Sequence, residues 1–222
     1  MKNWTKALAL ALLPALLCAC SQHAGTDAAQ AAQKIKLPAK VQFLEDGEPA
    51  LKVYLTDAEQ VETVALEEYL CGVLAGEMRS DWPMEALKAQ AILARTFVLK
   101  FMEEKESCYP GADISTDIEE AQAYDEAAVN DRIRQAVRET RGQVLASDGR
   151  LIYAWFHAHS GGKTAGAKEG LNWKAAEPDY IQISEGRESD KSPADAQAWQ
   201  AAFTAEEMIR AANAAGAAVT SV

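Results

Sequence analysis

Basic residues are scarce in this 222-residue chain: 22 Lys and Arg stand against 33 Asp and Glu, for a formal net charge of −11. With acidic groups spread throughout, no basic stripe exists to displace counterions from phosphates, so nucleic acid is excluded as a partner. Cysteine is scarce too. Of the four present, Cys18 and Cys20 fall in the N-terminal leader. That leaves Cys71 and Cys108, too few for a disulfide scaffold and enough for one bridge or none. Histidine is as thin: His157 and His159, with Cys71 or Cys108, offer at best a sparse zinc ligand set. The apolar run at residues 7–17 falls short of the ~20 residues needed to cross a bilayer. Internal repeats, a phosphate-loop pattern and a Gly-x-Ser-x-Gly elbow are all absent.

What is present begins at the leader. Lys2 and Lys6 precede the apolar run, and Leu17-Cys18-Ala19-Cys20 follows it, which reads as a lipoprotein signal over residues 1–20. Cys20 is then the first mature residue and carries the lipid. The expected location is exported, anchored to the outer face of the cell membrane through lipidated Cys20. Residues 21–38 read as a flexible tether of small and polar residues. Residues 39–222 are sufficient for one domain at ~100–200 residues per domain. The acidic balance does not help to hold an acidic polymer, so such a substrate needs local polar contacts.

Short β-branched or alternating runs at 41–44, 51–55 and 61–64 predict strands joined by turns. From residue 66 to 74 the spacing becomes helical, and Gly76 is expected to interrupt it. A second helix is expected from Ser80-Asp81-Trp82-Pro83 to about Lys105, with Ser80 or Asp81 capping it and Pro83 in its first turn. It is apolar around most of its circumference (Leu87, Ala91, Ala94, Val98, Phe101, widened by Leu93 and Phe97), as a buried central helix would be. Gln90 falls within that arc, so its amide needs an internal partner. Lys88 and Arg95 share the edge of the arc and on pattern alone read as a solvated rim. A loop at 107–117, a helix from about 129 to 140 ended by Gly142, and a hairpin follow. The hairpin has strands at 143–146 and 151–157 turning on Asp148-Gly149. The tail, 194–214, is Ala-rich and helical. The fold class is α+β: mixed helices and short antiparallel strands around a buried central helix.

Chemistry has few places to sit. The loop Ser160-Gly161-Gly162-Lys163-Thr164 reads either as an anion-binding nest or as a tight turn. Glu77, in Gly76-Glu77-Met78 at a junction between helices, is hemmed by Gly76, Met78 and Trp82. It reads either as a carboxyl whose proton affinity desolvation raises, as a general acid requires, or as a capping or surface Glu.

Several segments in order carry a resemblance: Leu66-Glu67-Glu68-Tyr69-Leu70 to Gly72-Val73-Leu74-Ala75-Gly76-Glu77-Met78, then Trp82-Pro83-Met84-Glu85-Ala86-Leu87-Lys88-Ala89-Gln90-Ala91, Ala94-Arg95-Thr96-Phe97, Gln122-Ala123-Tyr124, Gly142-Gln143-Val144-Leu145 and Ser160-Gly161-Gly162-Lys163-Thr164. Together, over roughly residues 60–185, they resemble the stage II sporulation protein D and amidase-enhancer family. The resemblance implies a peptidoglycan lytic transglycosylase that cuts glycan strands lacking stem peptides, during engulfment in sporulation. It makes Glu77 the acid/base. One carboxyl suffices because the nucleophile is the sugar's own C6 hydroxyl, whereas ordinary glycosidases place two carboxyls across the bond.

The resemblance further places Gln90, Arg95, Tyr124, Ser160, Gly161, Gly162 and Thr164 around the substrate. Its partners would be peptidoglycan glycan strands, with an amidase and other engulfment proteins beside them. The alternative it offers is a non-catalytic wall-binding enhancer of an N-acetylmuramoyl-L-alanine amidase; a lipoprotein scaffold is a third reading. Some family members bind zinc through a Cys and His cluster before the Gln-x-Tyr segment. Here that stretch is Ile114-Ser115-Thr116-Asp117-Ile118-Glu119-Glu120, so neither zinc nor another cofactor is expected. Family domains also continue further past the matching segments, so a short or truncated member is expected.

Overall fold

A computed structural model describes residues 34–186, 198 and 200–220. The expected signal peptide, Cys20 and the tether up to residue 33 lie outside the described residues.

The first elements are strands β1 (Gln42–Phe43), β2 (Pro49–Leu55) and β3 (Gln60–Ala65), close to the expected runs. β2 pairs antiparallel with β1 through Gln42↔Ala50 and with β3 from Ala50↔Ala65 to Leu55↔Gln60. Period-two alternation turns Leu51 and Val53 inward, where they are buried, and leaves Lys52 exposed. A further strand, β4 (Ile114–Ser115), pairs parallel with β2 at Val53↔Ile114. This strand lies within the loop expected at 107–117, because two residues paired some 60 positions away carry no local signal.

β3 runs directly into α1 (Leu66–Glu77), followed by α2 (Met84–Glu104) and α3 (Asp131–Glu139). Their shared core includes Leu70, Val73 and Leu74 of α1, Leu87, Ala91 and Val98 of α2, and Ile133 and Val137 of α3. Each large aliphatic side chain buried there contributes ~1.5–3 kcal/mol relative to exposure. α2 supplies ten buried residues, the expected buried central helix, and the α+β class holds. α3 starts where Asn130 accepts hydrogen bonds from the N–H groups of Arg132 and Ile133.

Three local expectations are corrected. Gly76 does not interrupt α1, which runs on to Glu77. Ser80 and Asp81 do not cap α2; Pro83 occupies the cap position without a side-chain hydrogen bond, and Asp81 turns to Arg79 instead. The hairpin has only β5 (Ala146–Ser147) and β6 (Arg150–Leu151) around a turn with both Asp148 and Gly149 at positive φ, as a type I′ turn demands. The residues after Leu151 form no ladder among the described residues. There Tyr153 and Trp155 stack with each other at 5.0 Å and both meet the edge of Trp173, so their period-two spacing serves an aromatic cluster.

Beyond it lie α4 (Ala167–Leu171) and α5 (Ala205–Ala214), the latter within the expected helical tail and opened by a Thr204–Glu207 capping box. Residues 194–197 and 199 of that tail lie outside the described residues. Cys71 and Cys108 are both free, the first buried and the second exposed.

Candidate functional site

The α1–α2 junction is built by backbone constraints. The N–H of Met78 closes the helix on Leu74 O at 3.0 Å, and Met78 itself is extended. A tight loop follows, in which Trp82 N–H reaches Arg79 O at 3.2 Å. Arg132 of α3 fixes this loop from outside: its Nε donates to Ser80 O and its Nη2 to Trp82 O, both at 2.8 Å. Within the loop, Arg79 forks onto Asp81, with Nε at 3.2 Å and Nη2 at 2.6 Å from the two carboxylate oxygens. That hydrogen bonding holds the Asp81 carboxyl below its ordinary range.

The segment carrying Gln122-Ala123-Tyr124 lies across α1 on two glycines one helical turn apart. A Cβ on Gly72 would sit 2.2 Å from the Tyr124 ring, and one on Gly76 would sit 2.7 Å from the carbonyl carbon of Ala123. Glycine is required at both positions for closeness, since no side chain fits beneath that segment. The seated backbone then bonds to the helix: Asp125 N–H to Gly72 O at 3.0 Å, and Ala123 N–H to Glu77 Oε1 at 2.9 Å. Tyr124 stacks on Tyr69 with ring centroids 5.6 Å apart, and Tyr69 donates its hydroxyl to Ser115 O. Burial pushes the Tyr124 phenol up to about 12.

Glu77 is thus half-buried, with one carboxyl oxygen fixed by a backbone amide. It lines an open depression of about 530 Å3 whose wall is residues 75–81 with Ala128. That volume lies within the range of small-ligand sites, roughly 300–1,000 Å3. Among the described residues no hydrogen bond reaches Oε2 of Glu77, so that oxygen is open toward the depression.

The other expected site residues do not line this depression. Arg95 is corrected from rim to core: it is 1% exposed and donates to Glu67 through Nε at 2.9 Å and Nη2 at 2.6 Å. Its Nη1 also reaches Gln143 O at 3.0 Å, so this guanidinium ties α1, α2 and the segment after α3 together. Lys88 does stay at the rim, paired with Glu85 and Glu139. Gln90 is buried as expected, but its Nε2 lacks the internal partner expected for it. Gln122, of the Gln122-Ala123-Tyr124 motif, is also buried, with neither amide atom partnered. Tyr124 forms the seat behind Glu77.

The Ser160 loop is a turn with Gly161 and Gly162 at φ of 68° and 99°. It is stitched to a later segment: Thr164 N–H donates to Ser184 O at 2.9 Å, Ser184 N–H donates to Thr164 Oγ1 at 2.8 Å, and Gly186 N–H reaches Gly162 O.

Comparison with known proteins gives an independent finding. Residues 54–146 match a family described as Stage II sporulation protein. Over 163 residues the chain is 32% identical to Stage II sporulation protein D of Bacillus amyloliquefaciens, which covers 68% of this chain and 46% of that protein. Over 201 residues it is 31% identical to the protein of the same name from Bacillus subtilis, covering 82% of this chain and 58% of that one. It is also similar to the Amidase enhancer of Bacillus subtilis, at 33% over 112 residues, half of this chain and 14% of the relative. The chain therefore spans about half the length of the sporulation proteins it matches.

Proposed function

Because the chain carries a domain of the Stage II sporulation protein family over residues 54–146, we propose that it cleaves peptidoglycan glycan strands as a lytic transglycosylase, with Glu77 as the acid/base. The observation that carries this reading is the Glu77 carboxyl in the wall of the depression, one oxygen held by Ala123 N–H and the other open. In the proposed reaction Oε2 gives its proton to the glycosidic oxygen between N-acetylmuramic acid and N-acetylglucosamine as the bond from C1 breaks. The carboxylate then takes the proton of the muramic acid C6 hydroxyl while O6 bonds to C1. The products are a 1,6-anhydro-muramyl end and a new free sugar end, with no water consumed. General acid–base catalysis of this kind is worth ~10²–10⁴-fold in rate.

The setting we propose is the cell wall during engulfment, on strands stripped of stem peptides, with the chain exported and tethered to the membrane by lipid on Cys20. The lipoprotein leader in the sequence supports the last point. A Cys20→Ala chain that stayed with the membrane fraction would contradict it. The test of catalysis is mass spectrometry of purified glycan strands, with and without stem peptides, after incubation with the full chain. Anhydro-muramyl ends should appear with the wild type and disappear with Glu77→Gln; equal amounts in both would refute the role of Glu77.

A second reading has its own support in the similarity to a protein named Amidase enhancer: the domain binds the wall and accelerates a partner amidase without cutting glycan. It predicts faster stem-peptide release by an added N-acetylmuramoyl-L-alanine amidase, unchanged by Glu77→Gln.

A further inference from the structure

The depression beside Glu77 contains one cationic side chain, Arg79, among the residues of its wall. In a chain of net charge −11 an anionic strand is repelled at a distance, so attraction has to be local. Arg79 supplies it in a directed form. Glu77 and Arg79 both line the depression, on either side of Met78. The loop that carries Arg79 is clamped by Arg132 through Ser80 O and Trp82 O, so the guanidinium is presented from a fixed backbone.

Its present partner identifies the chemistry it suits. Arg79 already grips a carboxylate in two-point fashion, the geometry in which the planar fork of arginine is selective. Yet the pair is open to solvent, with the two side chains 79% and 63% exposed, and exposed ion pairs are weak enough to exchange partners. Two carboxylates, Glu77 and Asp81, stand in the same wall. A doubly charged phosphate is therefore a poorer guest than a single carboxylate.

We propose that Arg79 is the specificity-determining residue of this site, reading the lactyl carboxylate that an N-acetylmuramic acid unit exposes once its stem peptide is gone, with Asp81 as the internal carboxylate it releases. This rests on the glycan-strand reading of the depression. It gives a physical reason for choosing stripped strands: where a stem peptide is attached, the lactyl group is a neutral amide and offers the fork no charge.

The test uses the full chain in a Glu77→Gln background, so that nothing is cut, and measures binding by calorimetry. Two ligands are compared: amidase-stripped strands, and the same strands with lactyl carboxylates converted to methylamides. The stripped strands should bind about three- to tenfold tighter, the range expected of a two-point ion pair at an open site. Adding Arg79→Gln should erase the difference, Arg79→Lys should keep part of it, and Asp81→Asn should widen it. Equal binding of the two strands, binding of neither, or a difference that survives Arg79→Gln overturns the proposal. The catalytic reading fails separately: a wild-type chain that produces no anhydro ends but still discriminates through Arg79 sinks catalysis and leaves the carboxylate reader standing.

Discussion

Ala123 donates its backbone N–H to Oε1 of Glu77 at 2.9 Å across 46 residues of sequence. This approach exists because residue 76, beside the carboxylate, has no side chain. The carboxyl proposed as the acid/base is thereby oriented by a main-chain donor.

Gly76→Ala sets two effects against each other. Alanine is the better helix former by ~0.8–1 kcal/mol, while a Cβ 2.7 Å from the Ala123 carbonyl carbon forces the seated backbone away, at ~1–3 kcal/mol for overpacking. The contact is with backbone, so sterics should win. A lower urea midpoint is expected, with glycan cleavage falling further than the folded fraction does. Gly72→Ala meets a movable ring, that of Tyr124, and should unstack it from Tyr69 with a smaller loss of activity. A Gly76→Ala chain as stable and active as wild type would show that the seat is not needed.

Arg95 and Glu67 form a largely buried pair, with side chains 1% and 16% exposed. Arg95→Met leaves Glu67 uncompensated and the Gln143 carbonyl without its donor, a loss of ~3–5 kcal/mol by the usual measure of broken buried pairs. Removing both charges in Glu67→Leu with Arg95→Met should restore part of that stability, because no lone charge remains. Urea titrations of the two variants decide it. A single variant of normal stability with a raised KM would return Arg95 to the substrate.

Why some of this was legible in the sequence and some was not follows from how far each signal travels. α2 could be read because its apolar arc is local, and the turn at Asp148-Gly149 because the dipeptide itself demands positive φ. Arg95 could not, since the carboxylate that buries it lies 28 residues upstream on another helix. Gly76 looked like a helix breaker, although its role is defined by a segment nearly fifty residues later. Glu77 stands out only through the family resemblance, since nothing local sets it apart from the other acidic residues. Arg79 carries no local signal, since what sets it apart is the depression it lines.

Arg132 tests whether the loop after Glu77 must be held. Its two 2.8 Å bonds to Ser80 O and Trp82 O lie at the surface, so Arg132→Ala should cost only ~1 kcal/mol of global stability. Local effects should be larger: faster hydrogen exchange across residues 79–83, and weaker strand binding as Arg79 loses its fixed mount. If exchange in the loop is unchanged while binding falls, Arg132 itself contacts the strand.

Alkali should unfasten the seat of Glu77. Tyr124 is pushed up from 10.0 to about 12, first by burial and then by the Glu126 and Glu68 carboxylates. Tyr69 moves in the same direction, chiefly by burial. A folded-state value above the unfolded one means that the native chain holds these protons more tightly. Their stabilising contribution is complete below about pH 10 and declines as pH climbs from there toward 12. Tyr124→Phe keeps the ring over Gly72 and removes the ionisable hydroxyl, so its unfolding midpoint should fall less steeply across that window than the wild type's. Tyr69→Phe should differ, because it gives up the hydroxyl bond to Ser115 O and loses ~1 kcal/mol already at neutral pH. Tyrosinate absorbance followed beside urea midpoints tests both. Since Tyr124 adjoins the amide that holds Glu77, glycan cleavage assayed at each alkaline pH should fall more steeply in the wild type than in Tyr124→Phe across the absorbance rise; identical profiles would mean that Glu77 does not depend on this seat.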